Sequence, residues 1–236
     1  MELCEKKQKR CADHKLGEAG DWWDHTAVAA DSKLVVSLMV GKRTYDQTLA
    51  LVQDAHTRLR AGHLPAIFTD AFASYESALL EVFGHRYPAK GRGRRPVMRW
   101  RQGLAYGQVK KSYKGGRVDG VEVRVVHGKA RLAHVLYLLG YKQTNTSVVE
   151  RHNGTSRLRN QRKGRKTLAF SQARRSHRWM SWLSVGLYNF CRPHSSLIIK
   201  QADQVIHRSP AMAAGVTNHL WSTHEWLLRP VLGGQR

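Results

Sequence analysis

Hydrophobic side chains in the first quarter of the chain follow first a strand pattern and then a helical pattern. Two β-rich runs, 26–30 and 34–40, are separated by three residues of turn composition, and this arrangement predicts a hairpin. From residue 46 to residue 60 the apolar side chains recur at helical spacing, and Thr44 or Asp46 is available as the N-cap. We therefore expect a hairpin followed by an amphipathic helix.

The next part of the chain places an aspartate between a strand and a helix. A short apolar strand at 66–68 ends in Thr69 and Asp70 and passes into an amphipathic stretch from Tyr75 to Phe83, which Gly84 closes. Asp70 therefore lies at the C-terminal end of a strand, where open α/β sheets gather ligand-binding groups. Aspartate is also favoured just before a helix, so a simple capping role fits the same position.

The rest of the chain continues to alternate between strand and helix patterns. In chain order it predicts a flexible basic loop at 85–103, a hairpin formed by 106–111 and 118–126, and helices at 130–139, 147–162, 176–190 and 209–214. The helix at 176–190 is rich in Trp and aliphatic residues, so we expect it to lie in the core. Ser209, Pro210 and Gly215 mark the start and the end of the last helix. These elements predict a mixed α/β domain with a helical tail.

Basic residues strongly outnumber acidic ones. The 236 residues include 40 Lys and Arg against 17 Asp and Glu, which gives a formal net charge of +23. Such an excess favours a polyanionic partner, because neutralising phosphates releases counterions. DNA, the RNA of a ribosome-type assembly and an acidic membrane surface all fit this charge. A hydrophobic content of 42% argues against a disordered basic tail and predicts a folded core.

Membrane insertion, secretion and a cysteine-based metal site are not expected. No stretch approaches an apolar transmembrane span, and the first residues lack the apolar core of a signal peptide, so we expect a cytoplasmic, nucleoid-associated protein without a membrane partner. Cys4, Cys11 and Cys191 are widely spaced and form no C-x-x-C pair. The 13 His show no ligand pattern such as H-E-x-x-H.

One carboxylate, Glu150, stands at the start of the helix predicted at 147–162, beside a strongly basic segment. The basic residues are Arg151, Arg157, Arg159, Arg162, Lys163, Arg165 and Lys166. Their density favours contact with phosphates over an ordinary solvated face. The spacing from Ser147 to Glu150 is that of a capping box, which would give Glu150 a structural role only. The alternative is that Glu150 joins Asp70 in binding divalent metal ions, since carboxylate oxygens are the ligands that magnesium prefers.

Several strings of the sequence resemble the DDE class of bacterial insertion-sequence transposases, and most closely the type of insertion sequence one. The similar strings are 30–36, 40–43, 68–70 with Tyr75 and Phe83-Gly84 after it, 145–153, 157–162, 166–171, 188–194 and 209–215. They cover nearly the whole chain. The most specific are Asn-Thr-x-x-Val-Glu-Arg from Asn145 and Tyr-Asn-Phe-Cys-Arg-Pro-His from Tyr188.

The resemblance implies a ribonuclease H-like core, a mixed sheet flanked by helices, at residues 1–190, with a helical tail at 191–236. In this family two Asp and one Glu hold two magnesium or manganese ions. The ions activate water to nick DNA at the element's ends and then activate the freed 3′ hydroxyl to attack target DNA. Asp70 matches the second Asp and Glu150 matches the Glu, so the resemblance implies that both are metal ligands and catalytic residues.

The resemblance also implies DNA as the partner, at the element ends and at the target, with the protein acting as a homo-oligomer on DNA. Asn145 and the basic residues of the Glu150 segment match the neighbours of the family's motif and are expected to position DNA. We expect a second contact at the basic loop. The residues of this loop that we expect to bind DNA are Arg92, Arg94 and Arg95.

The sequence departs from the family at the first Asp. The family carries that residue on its first strand, in an Asp-Glu-x-Trp motif shortly before a Glu-Lys-Lys string, whereas here Met1-Glu2-Leu3-Cys4 precedes Glu5-Lys6-Lys7. Asp21, Asp24 and Asp31 are nearby, but they fall at the first hairpin, with Asp31 in its turn, so each is a poor substitute as a metal ligand. The family's N-terminal DNA-binding region has no counterpart either. We therefore expect an N-terminally truncated transposase, and the alternative is a non-enzymatic DNA-binding remnant or repressor of the full-length enzyme.

Overall fold

The structure is a computed structural model that describes residues 2–3, 21–88, 95–163, 173–201 and 204–229. The chain divides into two compact units, unit 1 from residues 1–40 and 152–236 and unit 2 from residues 41–151. Both contain helices and strands, so the predicted α/β class is confirmed. Within the described ranges no helix combines the length and the apolar character that a membrane crossing requires.

Unit 1 opens with a small sheet. Its strands, in the order β1-β2-β3, are β1 (Glu2–Leu3), β2 (Trp22–Val28) and β3 (Val35–Gly41). β2 and β3 are the first predicted hairpin, and the turn between them is closed by the Ala29 N–H, which donates to the Leu34 carbonyl at 2.8 Å.

Unit 2 begins with α1 (Tyr45–Thr57), β4 (Ala66–Asp70) and α2 (Ala73–Phe83). Of the two predicted caps of α1, Thr44 is the correct one, since its Oγ1 accepts a hydrogen bond from the Gln47 N–H. The two helices contribute to one apolar core with the strand residues that follow. The buried members of this core are Val52, Ala78, Leu79, Phe83, Leu104 and Tyr106.

The segment 85–103 contains two strands, so the prediction of a flexible loop there is wrong. β5 (Gly84–Tyr87) and β6 (Val97–Trp100) pair antiparallel, with Gly84 opposite Trp100. Trp100 packs against the core of unit 2 and anchors the segment. The many basic residues of the segment gave no indication of this apolar contact. Residues 89–94, between the two strands, lie outside the described residues.

The main sheet of unit 2 is mixed, with strand order β4-β7-β8. β7 (Ala105–Lys114) and β8 (Arg117–His127) form the second predicted hairpin. β4 runs parallel to β7, from Ala66 beside Ala105 to Asp70 beside Val109. The last five residues of β7 therefore extend beyond the register of β4, paired with β8.

Different elements cover the two faces of this sheet. Tyr106 belongs to the core formed with α1 and α2, so it faces those helices. Gly107 points the other way, because side chains alternate along a strand. A Cβ at Gly107 would lie 2.9 Å from Thr144 and 3.1 Å from Leu132, and Leu132 is the buried residue of α3 (Lys129–Leu138).

The remaining elements run from α4 onward. They are α4 (Ser147–Arg159), a 3-10 turn (Gln161–Lys163), α5 (Arg174–Gly186), a π-helical turn (Leu187–Cys191), a 3-10 turn (Ser195–Leu197), β9 (Ile199–Gln201), β10 (Gln204–Ile206), α6 (Pro210–Ala213) and α7 (Thr223–Leu228). The predicted start of α6 is confirmed, because Ser209 Oγ accepts a hydrogen bond from the Met212 N–H. The tail also contains the antiparallel pair β9 and β10, which the sequence pattern did not indicate.

Helix α5 buries different side chains from those predicted. His177, Ser181 and Val185 form its buried stripe, whereas Trp179 is 65% exposed. The expectation that the tryptophans of this helix lie in the core is therefore wrong for Trp179. The buried side of α5 includes the polar residue His177 because its Nε2 lies against the buried carboxylate of Asp24.

Candidate functional site

Asp70 is the last residue of β4, as predicted, and its side chain is 56% exposed. Its Oδ1 accepts a hydrogen bond from the Phe72 N–H at 3.2 Å, and its Oδ2 lies 3.6 Å from the guanidinium of Arg43. The Arg43 guanidinium also lies over the Phe72 ring. The N-cap of α2 is Phe72, so Asp70 tightens the turn before the helix without occupying the cap position.

Glu150 lies in the first turn of α4 and is held from two sides. Its Oε1 accepts one hydrogen bond from Lys111 Nζ and one from Thr146 Oγ1, both at 2.5 Å. The Ser147 N–H donates instead to Asn145 Oδ1 at 3.1 Å. The capping box predicted from the Ser147 to Glu150 spacing is therefore not formed, and Asn145 organises the start of the helix in its place.

The surroundings of Glu150 keep it ionised at neutral pH. Partial burial alone would raise its pKa, but the hydrogen bonds from Lys111 and Thr146 and the positive charge of Lys111 outweigh that effect. The pKa of Glu150 therefore lies below its ordinary value. Glu150 remains an exposed carboxylate, with 51% of its side-chain surface open to solvent.

The register of the unit 2 sheet relates the two acids to each other. Asp70 is the partner of Val109 on β7, and Lys111 follows Val109 by two residues, about 6.6 Å along the strand. Residues two apart on a strand share a face, as do partners on neighbouring strands. Asp70, Val109 and Lys111 therefore belong to one face of the sheet, and Lys111 holds Glu150 at the same end of it.

These two acids fit magnesium by the chemistry of their donor atoms. Both present carboxylate oxygens at the surface, and magnesium is bound in proteins through one or two carboxylates together with water and substrate phosphates. In the described part of the chain no group of three or more His, Cys, Asp and Glu side chains is placed to hold a metal ion. Asp31, named as a poor substitute for the first Asp, is exposed in the hairpin turn of unit 1, where its Oδ1 accepts a hydrogen bond from the Ser32 N–H.

The predicted DNA-binding residues differ in exposure. Arg95, Arg151, Arg159 and Arg162 are exposed, Asn145 and Arg157 are half-buried, and Lys163 is buried. Arg92, Arg94, Arg165 and Lys166 lie outside the described residues. Partial burial lowers the pKa of the Arg159 guanidinium, and the positive charge of Arg192 lowers it further. Two guanidiniums that repel each other in this way favour an anion such as a phosphate.

Lys163 belongs to a buried ion pair inside unit 1. Its Nζ donates to Asp24 Oδ2 at 2.6 Å, and His177 Nε2 lies 2.7 Å from Asp24 Oδ1. The three side chains are at most 3% exposed. Burial alone would raise the pKa of Asp24, but the hydrogen bond from His177 and the charge of Lys163 lower it to about 2. Lys163 thus neutralises Asp24 instead of presenting its charge at a surface.

His152 and Ser156, on the buried side of α4, line the same cluster. Burial and the charge of Lys163 lower the pKa of His152 to about 4, so its imidazole is neutral at pH 7. Ser156 Oγ is 3.3 Å from Lys163 Nζ. The cluster therefore ties α4 and the turn after it to β2 and α5.

Sequence reasoning missed the residues that hold the acids, Arg43 and Lys111, and the partners of Lys163, Asp24 and His177. Asp24 and Lys163 are separated by 139 positions, so no local spacing relates them. Lys111 had a weak sequence indication, since it lies in a predicted strand that follows the strand of Asp70. Its pairing with Glu150 depends on the β4 to β7 register, which the pattern does not specify.

Comparison with known proteins gave no match for this chain among protein-family models, curated proteins or solved structures.

Proposed function

We propose that this chain is a DNA transposase of the DDE class with a ribonuclease H-like core, which nicks DNA at the ends of an insertion sequence and joins them to a target. The observation that carries the proposal is the placement of Asp70 and Glu150 on one face and at one end of the mixed sheet of unit 2. The net charge of +23 supports a nucleic-acid substrate. Such a protein acts in the nucleoid and, because an element has two ends, as a homo-oligomer on DNA.

In this proposal Asp70 and Glu150 hold divalent metal, magnesium or manganese. When bound, the metal supplies an activated oxygen nucleophile and neutralises charge at the scissile phosphate. Arg43 and Lys111 balance the two carboxylates electrostatically and keep them oriented. Exposed Arg151, next to Glu150 in α4, contacts the phosphates that flank the reacting bond. Arg159 and Arg162 of unit 1 are further proposed phosphate contacts.

The proposal is tested by metal-dependent nicking of supercoiled DNA that carries the sequences flanking the gene. Asp70→Asn and Glu150→Gln are each expected to reduce nicking by at least a hundredfold while leaving DNA affinity within about threefold. Glu122→Gln is the matched control, since it removes an exposed acid from the same hairpin and should leave nicking unchanged. Nicking that survives both acid substitutions would show that these residues do not form the metal site.

A second function, a DNA-binding repressor without catalysis, is favoured by one observation. The Oε1 of Glu150 is engaged by both Lys111 and Thr146, which is also what a purely structural carboxylate would show. This alternative predicts salt-sensitive DNA binding with no nicking in magnesium or manganese. It also predicts that Asp70→Asn and Glu150→Gln leave every DNA-dependent property unchanged.

A further inference from the structure

The hairpin of β7 and β8 extends beyond the rest of its sheet as a two-stranded ribbon. β4 pairs with β7 only as far as Val109, whereas β7 continues to Lys114 and pairs there with residues 117–122 of β8. Five residues of β7 at about 3.4 Å each give this ribbon a length of roughly 17 Å. Its root lies beside the candidate metal ligands, because Lys111 holds Glu150.

The tip of the ribbon is narrow. Gly115 and Gly116 have φ values of 59° and 79°, the left-handed conformation that a two-residue type I′ turn requires. If either carried a Cβ, that atom would meet no other atom of the described residues within 4 Å, so those residues do not cover the tip. The two residues that flank the turn, Lys114 and Arg117, are cross-strand partners.

The tip of the ribbon carries two cations, and an apolar pair and the exposed Asp119 lie below it. Lys114 and Arg117 are exposed, and no acidic side chain of the described residues forms an ion pair with either of them. Nearer the root, Lys110 is 4.0 Å from Glu122, so that pair is nearly neutral. Tyr113 and Val118, 65% and 51% exposed, form an apolar cross-strand pair next to the tip.

We propose that this ribbon enters the major groove of duplex DNA and that Lys114 and Arg117 contact the bases and phosphates there. The major groove is about 12 Å wide and 8.5 Å deep and admits a two-stranded ribbon, so a 17 Å ribbon reaches its floor while its root stays outside. Lysine and arginine are the side chains that bind the guanine acceptors N7 and O6 at that floor. The inference rests on the proposed function, since it adds a DNA contact next to the same two acids.

Charge favours DNA over a protein partner at this ribbon. A protein that added a strand to the outer edge of β8 would meet Asp119, Glu122 and Arg124, a mixed set of charges that discourages edge pairing. The tip carries two cations and no acid, which complements a polyanion.

The test compares the DNA affinity of the full chain with that of Lys114→Ala/Arg117→Ala by fluorescence anisotropy on a duplex at several salt concentrations. Each lost phosphate contact reduces the slope of log K against log salt by about 0.9, and the double variant is expected to lose between one and two such contacts. We expect its affinity to fall at least tenfold. Replacing guanine by 7-deazaguanine should weaken binding of the unmodified chain and leave binding of the double variant unchanged.

The control is Arg60→Ala/Lys129→Ala, which removes the same charge from exposed positions of unit 2 away from the ribbon. An equal loss in this control, or no effect of 7-deazaguanine on the unmodified chain, would overturn the ribbon proposal. A change in oligomeric state by sedimentation with unchanged DNA affinity would overturn it in favour of a protein interface. If the unmodified chain does not bind DNA in a salt-dependent way, the proposed function itself fails. Salt-dependent binding that Lys114→Ala/Arg117→Ala retains in full overturns the ribbon contact only.

Discussion

Arg162 and Lys163 are adjacent in sequence and equal in charge, yet their surroundings differ completely. Arg162 is exposed, whereas Lys163 is 4% exposed and paired with Asp24. A count of basic residues treats them as equivalent members of a phosphate-binding run. The difference arises because the 3-10 turn after α4 points Lys163 into unit 1.

Lys163→Met is expected to destabilise the protein by about 3–5 kcal/mol, because it leaves the buried carboxylate of Asp24 without its cationic partner. Arg162→Ala is expected to change the free energy of unfolding by less than about 0.5 kcal/mol. Chemical denaturation measures both. An equal, small effect of the two substitutions would mean that Lys163 is not buried as described.

The Lys111 side chain contributes to the lowered pKa of Glu150. Lys111→Met removes the hydrogen bond and the charge that lower the pKa of Glu150, so that pKa is expected to rise. Protonation of Glu150 would then begin at a higher pH on acidification, and the metal binding that we propose would be lost at a higher pH as well. Carboxyl ¹³C NMR titration measures the shift, and Lys110→Met, on the same strand but paired with Glu122, should leave it unchanged.

At the scale of the helix and the strand, the sequence pattern correctly predicted those features that depend on residues close together in the chain. Both hairpins, the end of β4 at Asp70 and the Ser209 cap of α6 follow from residues close in sequence, and all are present. The sequence patterns gave wrong predictions where the local structure depends on a contact with a residue far away in the chain. β5 and β6 depend on the packing of Trp100 in the core. α5 buries His177 because that side chain contacts Asp24. Glu150 bonds to Lys111, 39 positions away, instead of forming a capping box.

Helix α7 packs directly on the end of α5, and two glycines provide a test of that contact. A Cβ at Gly186 would collide with the ring of Trp226, whereas a Cβ at Gly154 in α4 would meet no atom of the described residues within 4 Å. Gly186→Ala is therefore expected to destabilise the protein by about 1–3 kcal/mol through overpacking. Gly154→Ala is expected to stabilise it by about 0.5–1 kcal/mol, because alanine loses less entropy in a helix.

Thermal unfolding at neutral pH compares these two alanine variants with the unmodified chain. Opposite shifts of the melting temperature are expected. A neutral Gly186→Ala variant with an unchanged melting temperature would show that Trp226 does not rest on that glycine.

At the scale of the whole molecule, the candidate site is formed by residues far apart in sequence. The sequence allowed its two acidic residues to be predicted, but not their arrangement in space. Asp70 was placed by the strand end and Glu150 by its motif, but the face they share follows from the parallel register of β4 and β7. The division of the chain into two units, with residues 1–40 and 152–236 in one of them, involves contacts between distant segments. Neither hydrophobic periodicity nor composition contains that information.

The net charge of +23 leaves three polyanions open as partners, and salt dependence separates them. A DNA-binding protein that makes about six phosphate contacts loses roughly a thousandfold in affinity for duplex DNA between 50 and 200 mM salt, and we expect a loss of that size here. Binding to a structured RNA of equal length and to anionic vesicles is measured in parallel under the same conditions. We expect duplex DNA to be bound most tightly, because exposed Arg151 next to Glu150 and the basic tip of the ribbon suit a major groove that is wide in DNA and inaccessible to side chains in RNA. Tighter binding to RNA or to vesicles at every salt concentration would contradict the assignment to DNA.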